Sequence, residues 1–329
     1  MNYLNILGIG NALVDVLVLP EDDQLISDLE LPKGSMTLVD KDLSSKILQK
    51  TAHLNNKLAN GGSVANAMNG IASLDVPSGY IGSIGKDKLG DLFKKNMKSK
   101  GITTFLKEAD LPTGCAISLI SPDGERTFAT YLGAAVKMGT EDLSPESFKG
   151  FDLFLIEGYL VFNQPLIMAA AAMAKSAGLR IALDLASYNV VEANMDTLNE
   201  LVNNYVDIVF ANEEEAKSFT GLTPAEALEN LSKRCDIAVV KIGKEGALIQ
   251  QGNKKIHVPA QGDKVIDTTG AGDYFAAGFL AGLAKGYDLE KSGWLGSLLA
   301  SKVIRVVGAE LSPEDWAGIK EQESLFSIE

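Results

Sequence analysis

The chain has 329 residues and a net charge of −13 at pH 7, and 46% of its residues are hydrophobic. This composition is typical of a globular protein with ample material for a core, and the negative charge argues against broad binding to nucleic acid or anionic membranes. Two cysteines and two histidines are too few for a disulfide framework, and they argue against a His-rich metal site or a Ser-His-Asp triad.

The two cysteines fit a reducing cytoplasm, and the start of the chain and its apolar runs favour neither a signal peptide nor a membrane span. Residues 1–10 lack a basic segment and a separate cleavage site, so they are interpreted as the first strand and not as a signal peptide. No apolar run approaches the roughly 18 residues that a membrane span needs. The net charge still permits an anionic ligand, because backbone amides at a helix N-terminus bind phosphate without many lysines.

Short apolar runs alternate with helical segments along much of the chain. The runs end in small or acidic residues and predict buried strands of a parallel sheet at residues 4–9, 153–156, 181–185, 208–210 and 237–242. Helices are predicted at residues 165–177, 195–205, 213–220 and 224–233, and two apolar helices broken near Gly286 follow Gly270. This alternation predicts one α/β domain over residues 1–329, with a doubly wound, mostly parallel sheet flanked by helices. Ligands bind beyond the carboxyl ends of such strands, which places Asp184, Asn212 and Gly243 near a binding crevice.

Two segments, residues 11–40 and 113–135, interrupt this alternation with β-like patterns. Residues 116–120 and 127–131 read as strands, and the turn signal Ser-Pro-Asp-Gly at residues 121–124 joins them as a hairpin. We expect these segments to form a small sheet outside the main layer, where it would cover the crevice as a lid.

The segment Asp-Thr-Thr-Gly-Ala-Gly-Asp at residues 267–273 precedes a predicted apolar helix at residues 274–285. Gly270 and Gly272 let the backbone turn tightly and point several N–H groups at one place, and the helix N-terminus adds the positive end of its dipole. Such an anion hole suits phosphoryl oxygens, and Asp273 would accept a proton from a substrate hydroxyl. An N-capping aspartate after a glycine turn is the structural alternative.

Two common nucleotide motifs are absent from the sequence. Neither Gly85-Lys86 nor Gly243-Lys244 fits a Walker A loop. The segment Gly8-Ile9-Gly10 imitates a dinucleotide fingerprint, but Leu13 replaces its third glycine and strand-like residues follow it. A dehydrogenase is therefore disfavoured.

Two further segments carry polar groups at helix starts. Residues 60–66, Asn-Gly-Gly-Ser-Val-Ala-Asn, open a small-residue helix and suit a hydroxylated ligand, since two glycines allow close approach to the backbone. Residues 212–215, Asn-Glu-Glu-Glu, follow a predicted strand, and Asn212 and Glu215 share one helix face where oxygen ligands could hold Mg²⁺ through water. Capped helix N-termini are the structural alternative at both places.

Together these segments resemble the ribokinase-like (PfkB) family of sugar and nucleoside kinases, over essentially the whole chain. Residues 267–273 look like its C-terminal signature, Gly61, Gly62 and Asn66 like its N-terminal signature, and Asn212 with Glu215 like its magnesium motif. The resemblance implies ATP and Mg²⁺ as cofactors and a large α/β domain with a β-lid. It also implies in-line transfer from ATP to a primary hydroxyl that Asp273 deprotonates.

The resemblance assigns further residues to the site. The catalytic group would be Gly270, Ala271, Gly272, Asp273 and the lid residue Arg126, which would approach the phosphates. The substrate would contact Asn11, Asp15, Gly61, Gly62, Ser63, Asn66 and Tyr159. ATP would contact Asn212, Lys241, Gly243, Gly246 and Thr269. A monovalent cation such as K⁺ would bind at Asp267, Thr269, Val303, Val306, Gly308 and Ser312, partly through carbonyl groups.

Within the family, the adenosine-kinase branch is the most similar, through segments such as Gly10-Asn11-x-x-x-Asp15 and Pro112-Thr113-Gly114-Cys115-Ala116. Val64 and Ala65 stand where this branch often has Thr-Gln, and its paired base-binding aromatics are reduced to Tyr159-Leu160. The 5′-hydroxyl of adenosine is therefore the leading acceptor, and a ribokinase- or fructokinase-type sugar kinase stays open. A non-catalytic sensor on the same fold is the remaining alternative. We expect a small-molecule substrate, no nucleic acid or membrane partner, and a monomer or a homodimer.

Overall fold

The structure is a computed structural model that describes residues 3–20, 22–54, 56–122, 125–262 and 264–326. The strands of the described residues are β1 (Ile6–Ile9), β2 (Leu13–Val18), β3 (Met36–Leu38), β4 (Asn56–Gly61), β5 (Ser78–Gly85), β6 (Thr103–Ala109), β7 (Thr113–Ile120), β8 (Arg126–Gly133), β9 (Leu153–Glu157), β10 (Arg180–Asp184), β11 (Ile208–Asn212), β12 (Ile237–Lys241), β13 (Ala247–Gln251) and β14 (Lys254–Val258). The helices are α1 (Gln24–Asp28), α2 (Lys41–Thr51), α3 (Ser63–Ser73), α4 (Lys88–Ser99), α5 (Gln164–Ser176), α6 (Tyr188–Ala193), α7 (Met195–Asn204), α8 (Glu213–Thr220), α9 (Pro224–Leu231), α10 (Ala271–Ala284), α11 (Leu289–Val303) and α12 (Pro313–Phe326).

Nine strands form a large sheet in the order β14-β13-β12-β11-β10-β9-β1-β5-β6. The strands from β12 to β6 pair in parallel, and β13 and β14 add an antiparallel edge. Because β1 pairs with both β5 and β9, the chain winds first to one side of β1 and later to the other. A crevice opens at such a switch point, beyond the carboxyl ends of the strands.

Successive residues of β1 point into two separate cores, as expected for a strand that is buried on both faces. Ile6 packs with α3, α10 and α11 through residues such as Met68 and Phe279. Leu7 packs on the opposite face with α5 and α7 through residues such as Leu166. Helices therefore cover both faces of the sheet, which confirms the predicted doubly wound α/β fold.

Small residues bring α3 and α10 into close contact. A Cβ atom added at Gly70 of α3 would lie 2.8 Å from Cβ of Ala277 in α10. Phe279 fixes α10 on the sheet by an edge-to-face contact with Phe210 of β11, with 5.5 Å between ring centroids. This packing places the N-termini of α3 and α10 side by side at the crevice.

The small sheet has the order β3-β8-β7-β2-β4, which confirms a second sheet but corrects its extent. It includes β4, which pairs antiparallel with β2 from Gly61↔Leu13 to Asn56↔Val18. Residues 56–61 were not predicted as a strand. The sequence Asn-Lys-Leu-Ala-Asn-Gly contains no β-branched residue and thus little strand signal. Residues 11–40 also contain the helix α1, and positions 123 and 124 of the predicted hairpin turn lie outside the described residues.

Asp87 attaches the small sheet to the large one. Its carboxylate accepts hydrogen bonds from the Gly90 amide at the start of α4 (2.9 Å) and from the amide (2.8 Å) and hydroxyl (2.7 Å) of Thr113, the first residue of β7. Partial burial opposes the charge, but these donors outweigh it and hold the pKa of Asp87 below its usual value. The Thr113 hydroxyl in turn accepts from the Gly85 amide at the end of β5, at 2.9 Å.

We expect Asp87→Ala to lower the free energy of unfolding by about 2 kcal/mol, because it leaves three donors without their acceptor. Urea denaturation measures the change, and Asp91→Ala, an exposed acid one turn further along α4, is the matched control. Equal losses in the two variants would contradict the attachment role.

Candidate active site

Two cavities meet at the crevice. The glycine-turn cavity, of about 770 Å³, is lined by the turn before α10 and by the ends of β10, β11 and β12. The small-sheet cavity, of about 750 Å³, lies between the small sheet and the residues after β9. Ser63 and Tyr159 line both cavities, so a ligand in one reaches a ligand in the other at this point.

Asp273 lies at this junction, in the first turn of α10. Its carboxylate accepts hydrogen bonds from the Ser63 hydroxyl (2.7 Å) and the Asn66 side-chain amide (3.0 Å), both on α3. Burial raises the pKa of Asp273 to about 6, although these two donors pull it down. A carboxylate with this pKa is an effective proton acceptor near neutral pH.

The turn before α10 has the conformation that its glycines predict. Gly270 adopts a left-handed φ of 77°, and a Cβ there would lie 2.8 Å from the Ala309 side chain. The Ala271 amide donates to the Thr268 carbonyl at 3.1 Å, so it closes the turn. Gly272 and Asp273 also line the cavity, and the first amides of a helix have no partner within it.

Arg126 of the small sheet reaches this turn. Its guanidinium group forms an ion pair with Asp267 (2.7 Å) and donates to the Thr269 hydroxyl (3.3 Å). Asp267 also accepts from the amides of Thr269 (3.0 Å) and Gly308 (2.6 Å). Three residues of the predicted cation site are thus hydrogen-bonded to one another, but an arginine supplies the positive charge at Asp267.

The other predicted cation ligands have separate roles. The Val303 carbonyl accepts from the Val306 amide at 3.2 Å. Ser312 is exposed and exchanges hydrogen bonds with Asp315 at the start of α12. A monovalent cation site at these six residues stays a prediction.

Acidic groups form the floor of the small-sheet cavity. Asp15 of β2 lies against Gly61 of β4, where a Cβ would overlap its carboxylate. Glu157, the last residue of β9, accepts from the Asn11 side-chain amide at 2.5 Å and from the Val64 amide of α3 at 3.3 Å. Burial raises the pKa of both acids to about 7.

Glu157 was missed at the sequence level. Its signal is an acid that closes an otherwise apolar strand directly before Gly158, at the position where ligands approach a parallel sheet. The structure also explains Gly10, because a Cβ there would lie 2.5 Å from Glu157 Oε2. Gly62, with φ of 97°, N-caps α3 without a side chain, and Glu157 satisfies the Val64 amide in its place.

Exposed apolar side chains form the opposite wall of the small-sheet cavity. Met36 and Leu38 on the edge strand β3 are 52% and 62% exposed, Val136 is 53% exposed, and Phe162 is 65% exposed. None of these was identified from the sequence. Tyr159, which the resemblance assigned to the substrate, lines both this cavity and the glycine-turn cavity, and burial raises the pKa of its hydroxyl to about 12.

The far end of the glycine-turn cavity contains the predicted ATP-side residues. Lys241 Nζ pairs with Asp184 Oδ2 at 2.9 Å, and Gly243 and Gly246 follow on a 3₁₀ turn between β12 and β13. Gly246 has φ of 101°, which a side chain would strain. Asp184, Asn212 and Gly243 all line this cavity, as their positions after predicted strands indicated.

Asn212 and Glu215 form a reciprocal capping box at the start of α8. Both carboxylate oxygens of Glu215 accept from Asn212, from its backbone amide (2.8 Å) and its side-chain amide (2.7 Å). Burial raises the pKa of Glu215 to about 7, against the nearby charge of Lys241. Because these oxygens are already engaged, the pair fits Mg²⁺ that is held through water and not by direct coordination.

A model of the pfkB family of carbohydrate kinases matches residues 37–316. The chain belongs to this family. It is 30% identical over 317 residues to an adenosine kinase of Saccharomyces cerevisiae, covering 90% of each chain. It is 27% identical over 266 residues to a ribokinase of Staphylococcus aureus, covering 78% of this chain and 85% of that one.

Solved structures agree with this assignment. The adenosine kinase of Sinorhizobium meliloti superposes with a TM-score of 0.87 at 32% identity, over 98% of this chain and 100% of that one. The chain is therefore an ATP-dependent sugar or nucleoside kinase, as its motifs predict. Within the described ranges, none of the helices has the length and apolarity to span a membrane.

We expect Asp15→Asn to stabilise the fold at high pH. The raised pKa means that the folded state binds a proton between about pH 4 and 7 that the unfolded state releases, so stability falls as pH rises through this window. An asparagine has no proton to lose. Its gain in unfolding free energy should therefore be about 1–3 kcal/mol at pH 8 and smaller at pH 5.

Urea denaturation at both pH values tests this prediction. Asp42→Asn, which changes an exposed acid on α2, is the control. A gain that is the same at pH 5 and pH 8 would show that Asp15 is not protonated preferentially in the folded state.

Proposed function

We propose that this kinase transfers the γ-phosphoryl group of ATP to the primary 5′-hydroxyl of a nucleoside, with adenosine as the best candidate. The observation that carries the proposal is the shape of the small-sheet cavity, which joins an acidic floor to an exposed apolar wall. The floor suits the hydroxyls of a ribose, and the wall suits the flat face of a base.

The apolar wall distinguishes a nucleoside from a free sugar. Leu38 and Phe162 are more than half exposed, and covering apolar surface stabilises a complex by about 25 cal/mol per Å². A base fills this space, whereas a free pentose on the floor leaves it in water. The names of the adenosine kinase relatives support the same acceptor.

On the acceptor side, Asp15 and Asn11 face the cavity beside Gly62 and Ser63, at the end nearest Asp273. We infer that Asp15 and Asn11 hold ribose hydroxyls and point the 5′-hydroxyl at Asp273. Asp273 then takes the hydroxyl proton while the new O–P bond forms and the bond from the γ-phosphorus to ADP breaks.

On the donor side, ATP lies in the glycine-turn cavity, along Gly243 and Gly246 towards Gly270. The amides of Gly272 and Asp273 and the N-terminus of α10 stabilise the charge on the phosphoryl group. Asn212 and Glu215 would hold Mg²⁺ through water, and the ion would supply positive charge to the phosphate oxygens.

We also propose that the small sheet acts as a lid, because its Arg126 already contacts the glycine turn. A closed lid excludes water from the transfer.

One observation favours a sugar acceptor instead of a nucleoside. The buried pair of Asn11 and Glu157 adds polar groups to the floor, and the ribokinase relative is consistent with this second candidate.

We expect Asp273→Asn to lower kcat by about 100- to 10,000-fold without unfolding the protein, since it removes the base. The kcat/KM of the unmodified enzyme should rise with pH through an apparent pKa near 6, because Asp273 works only when ionised. Asp15 and Glu157 titrate nearby, so the apparent value belongs to the cluster.

A coupled assay of ADP release between pH 5 and 8 measures both effects, with Asp42→Asn as control. A flat profile, or more than a tenth of kcat in the folded Asp273→Asn enzyme, would refute Asp273 as the base.

A panel of adenosine, other nucleosides, ribose and fructose with ATP and Mg²⁺ decides the acceptor. We expect the highest kcat/KM with adenosine. Phe162→Ala should lower kcat/KM for adenosine roughly tenfold, because stacking on an aromatic ring is lost, and leave that for ribose unchanged. Leu325→Ala, at an exposed position on α12, is the control. A higher kcat/KM for ribose or fructose would establish the sugar kinase instead.

A further inference from the structure

Lys241 has an unusual position for a structural ion pair. It ends β12 inside the glycine-turn cavity, and its side chain is 15% exposed. A Cβ added at Gly272 would lie only 3.0 Å from Lys241 Nζ. The ammonium group therefore lies against the first turn of α10, beside the amides that face the cavity.

A cation at this place is unfavourable without an anion. The N-terminus of a helix carries about half a positive charge, and a second positive charge next to it is repelled. Burial alone would lower the pKa of Lys241, but the carboxylates of Asp184, Glu215 and Asp273 raise it. Lys241 therefore stays charged, and its charge adds to the positive potential of the α10 N-terminus at this point.

Asp184 holds the lysine in this place. Its Oδ2 pairs with Nζ at 2.9 Å, and its Oδ1 accepts from the Ala186 amide at 2.9 Å, which fixes the carboxylate at the end of β10. An ammonium group has three N–H donors, and Asp184 accepts one of them. The others are available to a ligand in the cavity.

We propose that Lys241 is a catalytic residue whose ammonium group binds the phosphoryl group during transfer, and that Asp184 is its positioning residue. The proposal rests on the proposed function, since it uses ATP in the glycine-turn cavity. Charge that develops on the transferring phosphoryl oxygens meets a fixed positive charge in addition to backbone amides. The acceptor proton still goes to Asp273, and ADP leaves.

The competing explanation is that Lys241 only neutralises Asp184 and Glu215, so that their charges do not repel ATP. The two explanations predict opposite results for one double variant. If Lys241 only neutralises the carboxylates, removal of the Asp184 charge should restore the activity that the loss of Lys241 removes. If Lys241 acts on the phosphoryl group, removal of the Asp184 charge should not restore that activity.

Steady-state kinetics separate these explanations. Lys241→Met should lower kcat about 100- to 1,000-fold and change the KM of the acceptor less than threefold, and Lys241→Arg should restore part of kcat. The double variant Lys241→Met/Asp184→Asn should stay as slow as Lys241→Met. Lys254→Met, at an exposed position on β14, is the control. Recovery of the double variant to within tenfold of the unmodified enzyme would overturn the proposal, as would a loss below threefold in Lys241→Met.

Calorimetric titration tests the same contact without any acceptor. Lys241→Met should bind the non-hydrolysable ATP analogue AMP-PNP with Mg²⁺ at least tenfold more weakly, and ADP less than threefold more weakly. Equal weakening of both nucleotides overturns the contact with the terminal phosphate. If no acceptor in the panel is phosphorylated, the proposed function fails while this titration still decides the role of Lys241. Thermal denaturation of each variant confirms that it is folded.

Discussion

The carboxylate of Asp273 lies between the N-termini of two helices, and the rest of the site depends on this arrangement. It belongs to α10 and accepts hydrogen bonds from Ser63 and Asn66 of α3. The approach is possible because small residues let α3 and α10 pack closely and because β11 fixes α10 through Phe210. A buried acid that two helix ends and two donors stabilise is charged enough to accept a proton and still basic enough to hold it. The same two helix ends provide the positive potential that an anionic phosphate needs.

Charge balance explains the remaining polar residues. Asp15, Glu157, Asp184 and Glu215 line the two cavities, Asp267 lies beside the glycine turn, and, among the described residues, all of them except Asp15 have a hydrogen-bond or ion-pair donor. Asp184 has Lys241, Asp267 has Arg126, and Glu157 and Glu215 accept from amide groups. Asp15 lacks an equivalent ion pair among these contacts, and it lies where a polyhydroxylated ligand would enter. The net charge of −13 therefore coexists with a phosphate site, because positive charge is concentrated at the few points where it faces the crevice.

The parts of the site that local sequence determines could be predicted, and those that depend on pairing between distant segments could not. The glycine turn before α10, the helix start at Ser63 and the Asn212–Glu215 pair are each formed by a few consecutive residues. Glu157 becomes significant only when β9 is placed beside β1, which brings it to Asn11. The apolar wall joins an edge strand, β3, to Val136 and Phe162, which lie roughly a hundred or more positions later. Strand β4 forms because β2 pairs with it, despite its weak propensity. The hydrogen bond of the Ala271 amide within the glycine turn is likewise visible only in the structure, because it depends on the conformation of the turn.

The connection between the two sheets has a consequence for how the enzyme handles water. Strand β4 ends at Gly61, and α3 begins at Ser63, so a single residue, Gly62, separates the small sheet from the hydroxyl that holds Asp273. A rotation of β4 would therefore change the backbone torsion angles of Gly62 or move Ser63. If the small sheet moves as the proposed lid, its position and the orientation of Ser63 are linked along one stretch of backbone. Under the proposed function, such a link would protect ATP from hydrolysis, because Asp273 would be oriented for proton transfer only when the acceptor is bound.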